Sequence, residues 1–281
     1  MSATEEFKDQ KLTGPYQVGL KEFRIAAGNK VSVIYPVDQD EYDSVITTSN
    51  AFWLRYGENS VKGLFGRIGS SLPTFLLGGW INKKCDIAED AELSSDFSGE
   101  EKSLIPILWS HGNGSARYLY TGIAREFASR GYIVFAIDHN DGSNLFYETS
   151  DNGDGVVYNL NNGFNMQTRF DEQQALLDEV VDPTLMQDLF GVNIALIDDE
   201  KVVSAGHSLG GGTAVGHASQ DSRVKAILTL DPFFNEYMWE LIQNGTLTTN
   251  VPQQINFSSE YYDENIFFYD PNVFYRDTVN G

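Results

Sequence analysis

The segment GHSLG at 206–210 constrains the fold of this 281-residue chain more than any other stretch. It follows the β-branched run at 201–203 and precedes a run of small residues at 211–214. A serine with a glycine two positions away on either side is typical of a strand–turn–helix junction, because side chains at the glycine positions would collide with the neighbouring strand and helix. We therefore predict a strand that ends before Ser208 and a helix that begins directly after it.

Ser208 at such a junction is either a nucleophile or an idle residue in a glycine-rich turn. The helix behind it would direct free N–H groups and the positive end of its dipole at the hydroxyl, which favours reactions that build up negative charge. We interpret Ser208 as a nucleophile.

The charge of the chain excludes several classes of partner. Its 40 acidic and 19 basic side chains give a formal net charge of −21, so no basic stripe can offset the repulsion of nucleic acid. The same charge opposes electrostatic attachment to anionic membranes, and any lipid contact must be hydrophobic.

The sequence has no apolar run of ~18 residues and no signal-peptide pattern at its start. We expect a cytoplasmic protein that associates with membranes only peripherally.

No metal or cofactor site is predicted. Cys85 is the single cysteine, so the chain has no internal disulfide and none of the cysteine-based metal motifs. The acidic stretch DNGDG at 151–155 lacks the ligand spacing of an EF-hand loop and is interpreted as a turn. We expect the chemistry to depend on side chains and backbone alone.

Strand and helix signals alternate along most of the chain. Two apolar runs on either side of Gly28-Asn29 predict an N-terminal antiparallel hairpin. Amphipathic helices follow some of the later strands, and we expect one of them to begin with Ser115 as its N-cap. Apolar runs predict buried strands at 104–109, 132–137 and 224–230, and 251–257 is a candidate for one further strand. This pattern predicts one α/β domain over residues 1–281, with a mostly parallel central sheet and helices on both faces.

Polar residues follow the predicted strands directly: His111, Asp138, His139, Ser208 and Asp231. Active sites of parallel sheets lie at the carboxyl ends of the strands, so we expect these side chains at one edge.

Asp231 ends the strand after Ser208 and is interpreted as the acid that orients a catalytic base, with a turn or helix-cap role as the alternative. Asp138 is the second candidate acid, although it precedes the serine. His111 and His139 are expected to shape loops near the substrate.

Two backbone N–H groups must stabilise the negative oxygen that forms when a serine attacks an ester. We assign one to Leu209, directly after the nucleophile, and the other to Asn113 in the HGNG turn that follows an upstream strand. The catalytic base has no clear candidate. None of the four histidines follows Asp231, and His217 lies two to three helical turns beyond Ser208.

The segment 61–80 is strongly hydrophobic. Pro73 and the internal glycines exclude one continuous helix, so we predict two short amphipathic pieces with a break near 71–73. We interpret the segment as a lid or a lipid-docking surface, with a helix pair packed on the sheet as the alternative. Its candidate lipid contacts are Leu64, Phe65, Leu72, Phe75, Leu76 and Trp80. The acidic, serine-rich stretch 85–103 is predicted to be a surface loop.

Several motifs in combination resemble the platelet-activating factor acetylhydrolase family: GPYQVG at 14–19, WSHGNGSARYLY at 109–120, IDHNDGS at 137–143, and GHSLGG at 206–211 with LD at 230–231. The resemblance extends over nearly the whole chain. It implies an α/β-hydrolase fold and a calcium-independent, phospholipase A2-type esterase. Such enzymes remove acetyl or short, often oxidised, acyl groups from the sn-2 position of phospholipids, at a membrane or lipoprotein-like surface. The segment 61–80 is similar to the region by which family members contact lipid.

The resemblance also implies roles for individual residues. The family nucleophile corresponds to Ser208 and the family acid to Asp231. The oxyanion amides correspond to Leu209 and Asn113.

Two departures from the family pattern affect the predicted mechanism. Asn140 stands where the family commonly has arginine, which affects substrate details. The family histidine lies beyond Asp231, and this sequence ends at Gly281 without it, so we expect the last strand and helix of the fold to be missing as well. The sequence is then an incomplete record of an active esterase, a lipid- or partner-binding pseudoenzyme, or an enzyme that recruits one of its four histidines. A general carboxylesterase is a further alternative.

Overall fold

The computed structural model describes residues 11–67, 78–97, 102–191 and 197–258. Its strands are β1 (Gln17–Arg24), β2 (Lys30–Val37), β3 (Asn50–Phe52), β4 (Lys84–Glu89), β5 (Ile105–Ser110), β6 (Tyr132–Ile137), β7 (Phe146–Glu148), β8 (Gly155–Val157), β9 (Val202–His207), β10 (Val224–Leu230) and β11 (Gln253–Asn256). Its helices are α1 (Gln39–Val45), α2 (Glu58–Arg67), α3 (Gly78–Ile81), α4 (Thr121–Ser129), α5 (Met166–Val180), α6 (Pro183–Phe190), α7 (Leu209–Gln220) and α8 (Glu236–Gln243).

Within the described ranges, nine strands form one mixed sheet in the order β11-β10-β9-β5-β6-β2-β1-β4-β3. The run from β11 to β6 is parallel throughout. Strand β2 is antiparallel to both β6 and β1, and with β1 it forms the predicted hairpin. The mostly parallel α/β sheet predicted from the sequence is confirmed.

Side chains of the buried strands alternate between two apolar cores, one on each face of the sheet. On β6, Ile133 and Phe135 belong to the larger core, whereas Val134 and Ala136 belong to the smaller one. Helix α4 adds Ala124 to the smaller core and packs on β2 and β6. Helices α5 and α7 contribute to the larger core on the other face. Because both faces are covered, the strand is apolar throughout, as the sequence pattern indicated.

The predicted N-cap at Ser115 is wrong. Ser115 forms a parallel β-bridge with Asn144, a 3-10 turn follows at Arg117–Tyr120, and α4 begins only at Thr121. The Ser115 carbonyl accepts the N–H of Leu145 at 2.7 Å. The polar turn after β5 therefore pairs with a distant loop, a tertiary contact that local capping rules do not take into account.

The predicted surface loop at 85–103 is wrong at its start, because Lys84–Glu89 forms β4. Ile87 and Ala88 on this strand are fully buried in the two apolar cores. Two buried side chains among acidic neighbours form too short a pattern to identify this strand, which lies between β1 and β3, from the sequence.

Helices α2 and α3 lie at either end of the hydrophobic segment 61–80. The predicted break near 71–73 lies outside the described residues. Among the helices that the structure describes, none combines the length and the apolar character required to cross a bilayer.

Candidate active site

Ser208 occupies the turn between β9 and α7, and its backbone is strained. Its φ of 54° and ψ of −121° lie in a region that residues other than glycine rarely adopt. The Ser208 N–H donates to the Leu230 carbonyl at 2.9 Å, and the Ser208 carbonyl accepts from Gly211 and Phe233 at 2.9 and 2.8 Å. These bonds hold the turn in place. The predicted strand–turn–helix junction is confirmed.

Two glycines allow the elbow, residues 206–210, to be this tight. A Cβ on Gly210 would lie 2.0 Å from the carbonyl oxygen of Ser110 in β5. A Cβ on Gly206 would lie 2.3 Å from the carbonyl oxygen of Gly210. Both distances are far below van der Waals contact, so the backbone segments meet only because these positions carry no side chain.

Asp231 lies beside the elbow, at the end of the adjacent strand β10. Leu230 is opposite His207 in the parallel register, and the Leu230 carbonyl is the acceptor for Ser208. The Asp231 N–H donates to the Asn256 carbonyl at 2.8 Å, and its carboxylate accepts the N–H of Ser258 at 2.5 Å. The structure thus brings Ser208 and Asp231 to the same edge of the sheet.

The turn after β5 also reaches the elbow. A Cβ on Gly112 would lie 3.2 Å from the Cβ of Ser208. Asn113 follows, exposed to solvent, and its side-chain oxygen accepts from the Tyr158 hydroxyl at 3.3 Å. Leu209 is the first residue of α7, where an N–H group has no acceptor within its own helix. The two predicted oxyanion donors, the amides of Leu209 and Asn113, therefore belong to backbone segments that lie on either side of Ser208.

The ring of His207, directly before Ser208, contacts Tyr120. Its Nδ1 lies 2.9 Å from the hydroxyl of Tyr120. Burial lowers the pKa of His207, while the charge of Asp231 raises it and that of Arg67 lowers it further. His207 is therefore neutral at physiological pH, with one ring nitrogen occupied by Tyr120.

His217 is buried inside the elbow helix. Its Nδ1 lies 3.2 Å from the Ser204 hydroxyl, and burial lowers its pKa to about 4. A histidine enclosed in this way is part of the core of the protein. It lies more than two helical turns beyond Ser208, as the sequence predicted.

His111 and His139 are fully buried beneath the elbow. Nδ1 of His111 donates to the Gly112 carbonyl at 2.8 Å, and its Nε2 accepts the N–H of His139 at 3.1 Å. His139 contacts Glu172 at 2.7 Å and the Ser110 hydroxyl at 3.0 Å. The ring of His111 hydrogen-bonds to the loops that follow β5 and β6, neither ring has an exposed surface, and the place of both near a substrate stays a prediction.

The loop after β6 contributes to a group of buried polar side chains that sequence reasoning missed. Three of its residues are each bound by a partner from elsewhere in the chain. This buried polar layer consists of the pairs Asp138–Arg117, His139–Glu172 and Asp141–Arg169.

Asp138 is occupied by its partner in this layer. Its carboxylate accepts from both the backbone N–H and the guanidinium of Arg117, and neither side chain is exposed. Arg117 also donates to Glu22 at 2.7 Å and to Ser32 at 2.8 Å. As the second candidate acid, Asp138 is therefore already committed to a structural ion pair.

Burial changes the protonation of the other members of the layer. Burial raises the pKa of Glu172 to about 7. For His139, burial and then the charge of Arg169 hold the pKa well below its usual range. Burial opposes ionisation of Asp141 as well, but the charge of Arg169 outweighs it and the pKa of Asp141 falls well below its ordinary value. Arg169–Asp141 is thus the charged pair, and His139–Glu172 is neutral below pH 7.

The candidate lipid contacts are only partly described. Leu64 and Phe65 on α2 are half-buried against a small apolar cluster, whereas Trp80 on α3 is 50% exposed. Leu72, Phe75 and Leu76 lie outside the described residues. Lipid contact stays a prediction, and Trp80 is the most accessible described candidate.

The described ranges contain no group of three or more His, Cys, Asp or Glu side chains arranged to hold a metal ion. In the stretch 151–155, Asp151 instead pairs with Arg24 at 3.0 Å and Lys30 at 3.2 Å. The groups that the structure brings to this sheet edge, a serine hydroxyl on a strained backbone, a neighbouring carboxylate and backbone amides, are of the types that acyl transfer by a serine requires.

Two protein-family models match the sequence. The model "Platelet-activating factor acetylhydrolase, isoform II" matches residues 1–152, which is more than half of the chain. The model "Acetyl xylan esterase (AXE1)" matches residues 99–255, a range that includes both Ser208 and Asp231.

Curated relatives match over most of this chain. The platelet-activating factor acetylhydrolase of Cavia porcellus is 27% identical over 284 residues, covering 90% of this chain and 60% of its own length. The protein of the same name from Canis lupus familiaris is 25% identical over 288 residues, covering 91% and 61%. The chain thus spans about three fifths of the length of these relatives.

A solved structure supports the fold. A ferulic acid esterase from Streptomyces cinnamoneus superposes with a TM-score of 0.62 at 19% identity, covering 91% of this chain and 70% of that one. At this identity the similarity concerns the α/β-hydrolase fold alone. Because a model of the family matches more than half of the sequence, the chain belongs to the platelet-activating factor acetylhydrolase family.

Proposed function

We propose that this protein is a serine carboxylesterase in which Ser208 carries the acyl group. One observation carries the proposal. The backbone of Ser208 is strained, and its N–H donates to the carbonyl of Leu230, the residue directly before Asp231. Strain of this kind persists only where surrounding contacts impose it, and such residues are concentrated at functional sites. Membership of an esterase family is consistent with that use.

In the proposed reaction, the Ser208 oxygen bonds to the carbonyl carbon of the ester and the carbonyl electron pair moves onto oxygen. The amides of Leu209 and Asn113 stabilise this oxyanion, and a donor of this kind contributes about 3 kcal/mol. Collapse breaks the bond to the alcohol, which leaves with the proton that a base took from Ser208. Water then attacks the acyl-serine, and the carboxylic acid is released.

We infer that the base is an imidazole oriented by Asp231 and is none of the four histidines in this sequence. His111, His139 and His217 are buried, and His207 is turned to Tyr120. A base must approach within hydrogen-bonding distance of the hydroxyl that it deprotonates. An imidazole supplied from solution can then substitute for the missing ring.

The proposed substrate class is a phospholipid with an acetyl or short acyl ester at the sn-2 position. Both matching family models are named for enzymes that act on acetylated compounds, which supports a small acyl group. A second candidate function is hydrolysis of acetyl esters of other alcohols, including carbohydrates. It is favoured by the acetyl xylan esterase model, whose match includes the whole elbow.

A fluorophosphonate probe tests the nucleophile. We expect the wild-type chain to be labelled and Ser208→Ala to be unlabelled, whereas Ser222→Ala, on the exposed turn before β10, is labelled like wild type. Hydrolysis of 4-nitrophenyl acetate with and without imidazole tests the base. Imidazole should accelerate hydrolysis by the wild type. The hydrolysis that imidazole itself causes is measured with Ser208→Ala and subtracted.

Each outcome separates the hypotheses. Labelling that persists in Ser208→Ala would overturn the assignment of the nucleophile. If neither labelling nor hydrolysis occurs even with imidazole, the chain is a lipid- or partner-binding protein on a hydrolase scaffold. Turnover of acetylated xylo-oligosaccharide but not of a 1-alkyl-2-acetyl phosphocholine would favour the second candidate over the phospholipid.

A further inference from the structure

Arg169 on α5 is a buried cation whose contacts extend to three other segments of the chain. Its side chain has no exposed surface. Nε donates to the Asp141 carboxylate at 2.7 Å and Nη2 to the Ser143 hydroxyl at 2.5 Å, both in the loop after β6. Nη1 donates to the His111 carbonyl at 2.8 Å and to the Thr213 hydroxyl at 3.2 Å.

The two acceptors of Nη1 belong to the two sides of the elbow. The His111 carbonyl begins the turn that carries Asn113. The Thr213 hydroxyl, which accepts from Arg169, donates in turn to the Leu209 carbonyl at 2.9 Å. Nη1 of Arg169 is therefore linked to both sides of the elbow. One hydrogen bond connects it to the peptide unit before that of the Asn113 amide, and two in series, through Thr213, connect it to the peptide unit after that of the Leu209 amide.

We propose that Arg169 is a positioning residue that fixes the separation of the Asn113 and Leu209 amides, and so the width of the oxyanion hole. The inference rests on the proposed esterase function. It extends that function to a residue that touches neither the substrate nor Ser208 in the described contacts.

The chemistry of the guanidinium suits this task. Its planar fork holds fixed angles between donors, so one side chain sets several distances at once. The buried charge is compensated by Asp141, whose side chain is also unexposed, and this pair holds the fork in one orientation. A lysine ammonium retains the charge but not the fixed fork, so it cannot hold both acceptors of Nη1 in the same geometry.

The positions of oxyanion donors have a large effect on rate. A displacement of about 1 Å at a reacting centre can reduce the rate about 100-fold. The phosphoryl oxygen of a fluorophosphonate bound to the serine lies where the oxyanion of an ester would form, so the labelling rate reports on the same donors.

The experiment measures the second-order rate of fluorophosphonate labelling per folded molecule, with imidazole present where wild type requires it. We expect Arg169→Lys to reduce this rate about 10- to 100-fold. Thr213→Val keeps the side-chain shape and the charge of Arg169 but breaks the link to Leu209, and we expect a loss of about 10-fold. Arg223→Lys is the matched control, because Arg223 pairs with Asp221 outside the elbow and its labelling rate should equal that of wild type.

Thermal unfolding distinguishes positioning from mere stability. If Arg169 is only structural, the variants lose melting temperature while the labelling rate per folded molecule is unchanged, and the inference is overturned. If Arg169→Lys does not fold, Thr213→Val decides the question by the same criterion. Failure of the wild type to be labelled contradicts the proposed function, whereas a labelled wild type with equally fast variants contradicts only the role of Arg169.

Discussion

The elbow and the buried polar layer are linked through Thr213 at the same edge of the sheet, but different interactions stabilise the two regions. In the elbow, backbone segments pack so closely that a Cβ added at Gly210 would overlap the carbonyl of Ser110. In the layer, charged and neutral side chains from distant segments pair in the interior, as Arg117 does with Asp138. The elbow therefore depends on the absence of side chains, and the layer on the presence of both members of each pair.

This difference indicates how each region should respond to mutation. A buried charge without its partner costs more free energy than the intact pair contributes, because the remaining group is desolvated and uncompensated. An added methyl group in the elbow meets backbone atoms that cannot rotate away. The stability of the layer should therefore be most sensitive to a substitution that removes one member of a pair. The stability of the elbow should be most sensitive to a substitution that adds a single carbon atom to a glycine.

The largest effect is expected for Arg117→Met. The substitution keeps much of the side-chain volume but leaves the buried carboxylate of Asp138 without its guanidinium and Glu22 with Arg55 alone. We expect a loss of about 3 to 5 kcal/mol in the free energy of unfolding, measured by urea denaturation.

Arg130→Met is the control for that prediction. Arg130 is an exposed arginine paired with Glu126 on the surface of α4, and its loss should cost no more than about 0.5 kcal/mol. Equal effects of the two substitutions would mean that the buried pairs have no special role, and the contrast between the two regions would disappear.

Gly210→Ala tests the elbow. The new Cβ would lie 2.0 Å from the Ser110 carbonyl oxygen, so β5 and α7 must separate. We expect destabilisation of about 2 to 3 kcal/mol and loss of fluorophosphonate labelling at Ser208.

Gly122→Ala serves as the matched control, because a Cβ there meets nothing within 4 Å. In the first turn of α4 it should stabilise the protein by about 0.5 to 1 kcal/mol. A Gly210→Ala variant as stable as wild type would show that the elbow can relax, contrary to the contact geometry.

The smallest effect is expected for Glu172→Gln, which tests the neutral pair of the layer. Burial raises the pKa of Glu172 to about 7, so the folded state favours the protonated carboxyl. Its stabilising contribution is complete below the unfolded pKa and is lost as pH rises through the folded pKa. Between pH 5.5 and 8, wild type should lose about 2 kcal/mol relative to Glu172→Gln, which cannot ionise.

Urea denaturation of both proteins at the two pH values measures this difference, and the comparison cancels the titration of the rest of the chain. A gap that stays constant with pH would mean that the Glu172 carboxyl does not change its charge between pH 5.5 and 8, contrary to its raised pKa.

The sequence by itself determined the elements and the elbow. The strands around residues 104–109, 132–137 and 224–230, the N-terminal hairpin and the turn at Ser208 all follow from patterns within about ten residues: continuous apolar runs, turn glycines and the GHSLG segment. The mistakes arose where a tertiary contact overrode local preference. Ser115 resembles a helix cap but bridges to Asn144, and the start of 85–103 resembles a loop but forms a strand of the sheet, paired with β1 and β3.

Only the tertiary structure decided which polar residues belong together. Nothing near Arg169 in the sequence identifies His111 and Thr213 as its acceptors, and nothing near Asp138 indicates that Arg117 already binds it. The physical reason is that pairing of buried charges is set by desolvation and by geometry across the fold, which have no periodicity along the chain. The glycines that permit the crowded backbone of the elbow, by contrast, lie within two residues of Ser208 and can be identified in the sequence, although the strand that crowds them is distant along the chain.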